Sequence, residues 1–151
     1  MSSIPPPPPP PPAAGRTGML TAAGVLLIIG SVFALIGGLY WLYGGWYDYV
    51  TGESEYFYEL AYLTAVGVFE IIGFAFGLTA GIQSLRRKKF SICIAGAVLL
   101  LVAGAVHFSY FAFVYASLER LGLNYILSGM SIVIPAVWGL VFVALRKRDF
   151  R

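Results

Sequence analysis

Two side chains able to handle protons stand inside apolar runs: Glu70 in GVFEIIGFAFGLTAGI, residues 67 to 82, and His107 in LLLVAGAVHFSYF, residues 99 to 111. An acid and an imidazole within reach of one another can pass a proton, contact an ion, or hold each other by a hydrogen bond. A charge at the centre of a bilayer costs about 3 kcal/mol on insertion scales and more on others. Such groups therefore pair, lose their charge or face a cavity, and each needs a hydrogen-bond partner.

Spacing brings the two together. On a helix turning about 100° per residue, Gly77 and Gly81 fall within about 20° of Glu70, and Gly67 and Gly73 within about 60°. The acid thus shares a stripe of small residues, of the kind that lets helix backbones approach closely in lipid. The basic turn Arg86, Arg87, Lys88 and Lys89 is centred near Lys88, with Glu70 18 residues before it and His107 19 after. In an antiparallel hairpin, equal distance from the turn means equal depth. His107 also lies on the small-residue side of its run, with Gly96, Ala103 and, more loosely, Gly104. A Glu70–His107 pair is expected, with Ser109 or Tyr110 as alternative partners for the acid. It would either fix helix register or serve as a proton relay, an ion contact or a bond to a partner subunit.

Little other chemistry is available. Cys93 is the single cysteine and His107 the single histidine, too few for a protein-only metal site, and Cys93 reads as a small buried thiol. No phosphate-binding glycine loop, zinc-protease helix or nucleophile elbow occurs. No enzyme activity, cofactor, metal or nucleic-acid partner is expected.

The elements that must position the pair are helices. Of 151 residues, 59% are hydrophobic and only 11% charged, against about a quarter charged in soluble domains. Four apolar segments, near residues 19–43, 60–85, 91–116 and 125–145, are each long enough to cross a hydrocarbon core of about 30 Å. Their short links predict an all-α, integral membrane, up-down-up-down bundle. Residues 1–18 are expected to form a disordered, proline-rich tail whose run Pro5–Pro12 favours a polyproline rod, either a spacer or a ligand for a cytoplasmic polyproline-binding partner. Its sole basic residue, Arg16, and the long apolar run behind it do not fit a cleaved signal. Residues 146–151 form a basic tail.

Charge sets the orientation. Nine basic residues (Arg16, the Arg86–Lys89 cluster, Arg146, Lys147, Arg148 and Arg151) lie on one side against Arg120 on the other. Both termini are therefore expected in the cytoplasm, with the cluster against lipid headgroups. The opposite side is rich in aromatics, from Tyr40, Trp41, Tyr43, Trp46, Tyr47 and Tyr49 onward. They form either an interfacial belt or a docking surface for another membrane protein. In the fourth segment Pro135 frees the carbonyl of Ser131, and a kink with Ser128 or Ser131 re-satisfying the backbone is expected.

The first helix GVLLIIGSVFALIGG and the hairpin GLTAGIQSLRRKKFSICIAGAVLLL, behind a proline-rich start, make residues 19 to 105 similar to the small four-helix membrane proteins of unknown function found in bacteria and archaea. That resemblance implies a fold and no activity. The aromatic outer loop, Glu70 and His107 depart from it. The expected role is non-enzymatic: an accessory or scaffold subunit of a larger membrane complex, or a self-associating tetraspan protein, packing through the glycine stripe and the aromatics. The alternative is a small transport or proton-handling protein that uses Glu70 and His107.

Overall fold

The computed structural model describes residues 15–52, 57–114 and 123–150. Four α-helices follow one another: α1 Gly15–Thr51, α2 Phe57–Leu85, α3 Phe90–Val114 and α4 Leu123–Leu145, with a short 3-10 turn at Lys147–Asp149. No strand occurs among the described residues. The helices are long and apolar enough to cross a membrane, and helices suit that solvent because each satisfies its own backbone polar groups. The Pro5–Pro12 run, Glu53, Glu55, Glu119, Arg120 and Arg151 lie outside the described residues.

Both ends of α1 differ from the pattern of apolar residues, and α2 and α4 begin two to three residues earlier than expected. Residues 15–18, expected in the tail, already belong to α1, as no proline follows Pro12 until Pro135 and none stops a helix there. At its other end α1 continues to Thr51 rather than stopping near Tyr43. The polar and aromatic residues of this extension end an apolar run without ending a helix.

The helices form a closed ring in chain order, α1 on α2, α2 on α3, α3 on α4 and α4 back on α1. Their buried residues recur every seventh position: Leu20, Leu27, Ala34 and Trp41 on α1; Leu63, Glu70, Gly77 and Ser84 on α2; Cys93, Leu100 and His107 on α3; Gly129, Ala136 and Val143 on α4. A seven-residue repeat stays on one face only if the helices coil around each other in a left-handed sense.

Glycine closes the α1–α2 seam at two levels. A methyl group on Gly81 would sit 2.9 Å from the Gly24 carbonyl oxygen, and one on Gly67 2.9 Å from that of Gly38. The two contacts are 14 residues apart on both helices, about 21 Å along the axis, so the backbones touch over much of the span. The other glycines of the stripe turn elsewhere: Gly73 meets Ala103 of α3, Gly77 lies between Ser31 and Leu100, and Gly96 of α3 presses on the Phe76 carbonyl.

At the basic end, α2 closes with Lys88 N–H donating to the Gln83 carbonyl (3.0 Å) and Arg87 N–H to that of Ser84 (3.1 Å). This is the Schellman pattern, in which the penultimate position favours glycine because its φ is positive. Here Arg87 occupies it at φ 53°, and Lys89 follows at φ 52°. The Lys89 carbonyl then accepts from Ile92 and Cys93 at the start of α3. All four basic side chains of this turn are exposed. The C-terminal segment folds back onto the same end: Phe150 packs edge-on against Phe90, Lys147 lies over the Phe90 ring, and Arg146 reaches the Met19 sulfur.

Pro135 is buried inside α4, which runs through it without a break. Neither serine re-satisfies the carbonyl it frees. The Ser131 hydroxyl donates to the Ser128 carbonyl (2.5 Å) and Ser128 Oγ is paired with His107. The proline instead fills the approach of α4 to α1, facing Gly30.

Candidate functional site: a four-helix polar cluster

Each helix places one side chain in a polar cluster: Trp41 from α1, Glu70 from α2, His107 from α3 and Ser128 from α4. The first three belong to the seven-residue seams, which is why they point inward. Glu70 is fully buried and His107 only 2% exposed. His107 Nδ1 is hydrogen bonded to Glu70 Oε1. The Trp41 indole N–H donates to the same Nδ1 at 3.3 Å, with its ring edge-on to the imidazole. Ser128 Oγ lies 2.8 Å from Nε2.

An indole N–H can only donate, and an imidazole nitrogen carries a single lone pair or a single proton. Nδ1 therefore either accepts from one of Trp41 and Glu70 or donates to Oε1, and the direction at Ser128 follows from that choice. Glu70 Oε2 is buried with no hydrogen-bond partner among the described residues. That is tolerable for a carbonyl-type oxygen and expensive for half of a carboxylate. Oε2 lies against Gly37, where an added methyl group would collide with it.

Counted from Leu85 at the basic end, Glu70 lies about 22 Å up its helix, beside the middle of α2, while Trp41, His107 and Ser128 lie past the middle of theirs toward the aromatic end. A cavity of about 440 Å³ opens beside the cluster, between α1 and α4. Exposed Phe33, Ile36, Tyr40 and Leu127 form its rim, with Ser128 beside them and buried His107 at its floor.

Ser109, expected as a partner for the acid, instead donates to the Val106 carbonyl and pairs with the Tyr62 hydroxyl; the Tyr110 side chain lies outside the described residues. Trp41 and Ser128 are the members that the sequence pattern assigned elsewhere, to the aromatic belt and to the Pro135 kink. The basic cluster Arg86–Lys89 lies at the far end and takes no part. Among the described residues no group of three or more metal-ligating side chains occurs. Compared with family models, with curated proteins and with solved structures, the chain finds no match.

Proposed function

We propose that the chain is a non-enzymatic accessory or scaffold subunit of the membrane, which packs against a larger membrane protein, or against copies of itself, through the aromatic end of α1. Both termini are cytoplasmic in this reading, since nine of ten basic residues lie toward them. One observation carries it. At 1.5 Å per residue the 37 residues of α1 reach about 55 Å, beyond the 40–45 Å of a bilayer with its headgroups. The segment that overshoots bears Trp46 (51% exposed), Tyr47 (50%) and Val50 (77%). Tyr43 and Tyr47 stack with ring centroids 6.0 Å apart and continue to Val50 on one face. Apolar surface held above the headgroups is what a protein partner covers.

The test is to tag the C-terminus, solubilise native membranes gently and weigh what co-purifies. A stoichiometric partner or a defined oligomer, lost in the combined variant Tyr43→Ser, Trp46→Ser and Tyr47→Ser, supports the reading. A monomer without company, or association that survives the variant, overturns it. A cytoplasmic polyproline-binding partner would add a separate contact, lost on deleting residues 1 to 14 with assembly intact.

The hydrogen-bonded chain from Glu70 through His107 to Ser128 favours a second reading, a small proton-handling protein. It requires proton flux in vesicles of the purified chain, abolished by Glu70→Gln. The backbone-to-backbone packing at Gly24–Gly81 and Gly38–Gly67 counts against a passage along the α1–α2 seam.

A further inference from the structure

Cations gather at the basic end of the bundle from two separate stretches of chain. The Arg86–Lys89 turn joins α2 to α3, and Arg146, Lys147 and Arg148 follow α4 directly. Asp149 is the only acid within either stretch or next to it. Its Oδ2 is buried without a hydrogen-bond partner, and no ion pair joins it to any of the seven cations among the described residues. Like charges brought close repel, so a free tail would swing away from the turn. Instead, ring contacts hold the two stretches together. Phe150 packs edge-on against Phe90 with ring centroids 5.4 Å apart. The Lys147 ammonium stands 5.7 Å from the centre of the Phe90 ring, whose neighbour in the chain is Lys89. The Arg146 guanidinium points two of its N–H groups at the Met19 sulfur, at 3.1 and 3.3 Å, a weak acceptor. A hollow of about 460 Å³ opens along residues Ala144–Asp149, lined by the three cations of this stretch.

We propose that the two basic stretches form one discrete site for the phosphate of an anionic phospholipid, with the Phe90–Phe150 contact setting their spacing. The level suits a headgroup. The apolar spans end at Leu85 and Leu145 and resume at Phe90, so each of these cations stands within three residues of an apolar span, where the hydrocarbon gives way to the headgroup layer. The chemistry suits a phosphate. Arginine presents a planar fork of donors that matches two phosphate oxygens, and lysine adds a mobile point charge. A zwitterionic headgroup, whose own ammonium cancels its phosphate, would leave the excess of cations unbalanced. Attraction of a basic surface to an anionic leaflet depends on how many charges it carries and little on their arrangement. The fold-back makes a sharper demand, since the site exists only while Phe150 keeps the C-terminal stretch on the turn. It needs no partner at the aromatic end of α1 and stands apart from that reading.

The test uses the full chain in nanodiscs of phosphatidylcholine with a minority of phosphatidylglycerol, released for native mass spectrometry. A single phosphatidylglycerol should stay on each chain, enriched several-fold over phosphatidylcholine. Lys147→Gln combined with Arg148→Gln, both exposed positions, should abolish the enrichment. So should Phe150→Ser, which leaves every charge in place and lies beyond α4, and Phe150→Tyr should restore it. Enrichment that survives Phe150→Ser, or a graded series of adducts with no preferred number, overturns the proposal in favour of a diffuse basic surface. Displacement of the lipid by millimolar inorganic phosphate overturns it in favour of a soluble phosphate.

Discussion

With its proton on, the Glu70 carboxyl gives one O–H to His107 and leaves a single buried oxygen against Gly37. Ionised, it would keep that unpaired oxygen and add a charge, which burial makes costly. Hydrogen bonds between membrane helices average only about 0.6 kcal/mol, but a buried group stripped of its partner costs about 1–3 kcal/mol. The asymmetry ranks the variants. Glu70→Gln keeps an amide that can donate to Nδ1 or accept from it and should cost less than about 1 kcal/mol, whereas Glu70→Leu removes the partner altogether and should cost about 1–3 kcal/mol. His107→Ala, which also opens a cavity, should cost most. Detergent melting of the three decides, and equal, negligible shifts would refute the pairing energetics. Gly37→Ala should resemble Glu70→Leu, since its methyl displaces the carboxyl. The pair itself was legible because depth in a hairpin and the small-residue face can both be counted along the chain. Trp41 and Ser128 were not: Trp41 sits among the exposed Tyr40 and Tyr43 and reads as one more interfacial ring. The available signal was its place seven residues after Ala34, fourteen after Leu27 and twenty-one after Leu20.

For the helices, composition gave away number and order, since four apolar runs joined by short links leave few other arrangements. A run of apolar residues marks where lipid stops, though, and a helix stops elsewhere: α1 continues to Thr51. The angular stripe of 3.6 residues per turn put Gly67, Gly73, Gly77 and Gly81 on one broad face. The coiled bundle divides them, giving Gly67 and Gly81 to α1 and Gly73 to α3. Position along the seven-residue repeat therefore predicts cost. Gly67→Ala and Gly81→Ala push a methyl group to 2.9 Å from a carbonyl oxygen of α1 and should each destabilise by about 1–3 kcal/mol, as overpacking does. Gly44→Ala meets nothing within 4 Å and should be neutral or stabilising, by up to about 1 kcal/mol from helix propensity. If all three behave alike in reversible unfolding, the seam is not where the structure places it. In the basic turn, Arg87→Gly should stabilise by about 0.5–1 kcal/mol, because glycine takes a positive φ without strain.

Across the molecule, the two glycine contacts tie α1 and α2 into one scale of depth. Gly24 stands opposite Gly81 and Gly38 opposite Gly67, so Leu20 and Leu85 lie at the same level near the basic end. Counted from there, Trp138, half exposed on α4 seven residues before Leu145, lies about 10 Å into the hydrocarbon. Trp41 is buried at about 31 Å, and Trp46 stands at about 39 Å, past the headgroups of the other side. A tilt of about 20° shortens these heights by only about a fifteenth and leaves their order unchanged. Three single-tryptophan chains, each with the other two changed to phenylalanine, turn the order into a measurement. In nanodiscs, brominated acyl chains should quench Trp138, aqueous acrylamide should quench Trp46, and Trp41 should resist both. Quenching of Trp46 by the brominated chains instead would mean that α1 lies down in the membrane. The aromatic surface would then belong to lipid, and the proposed partner would have nothing to cover.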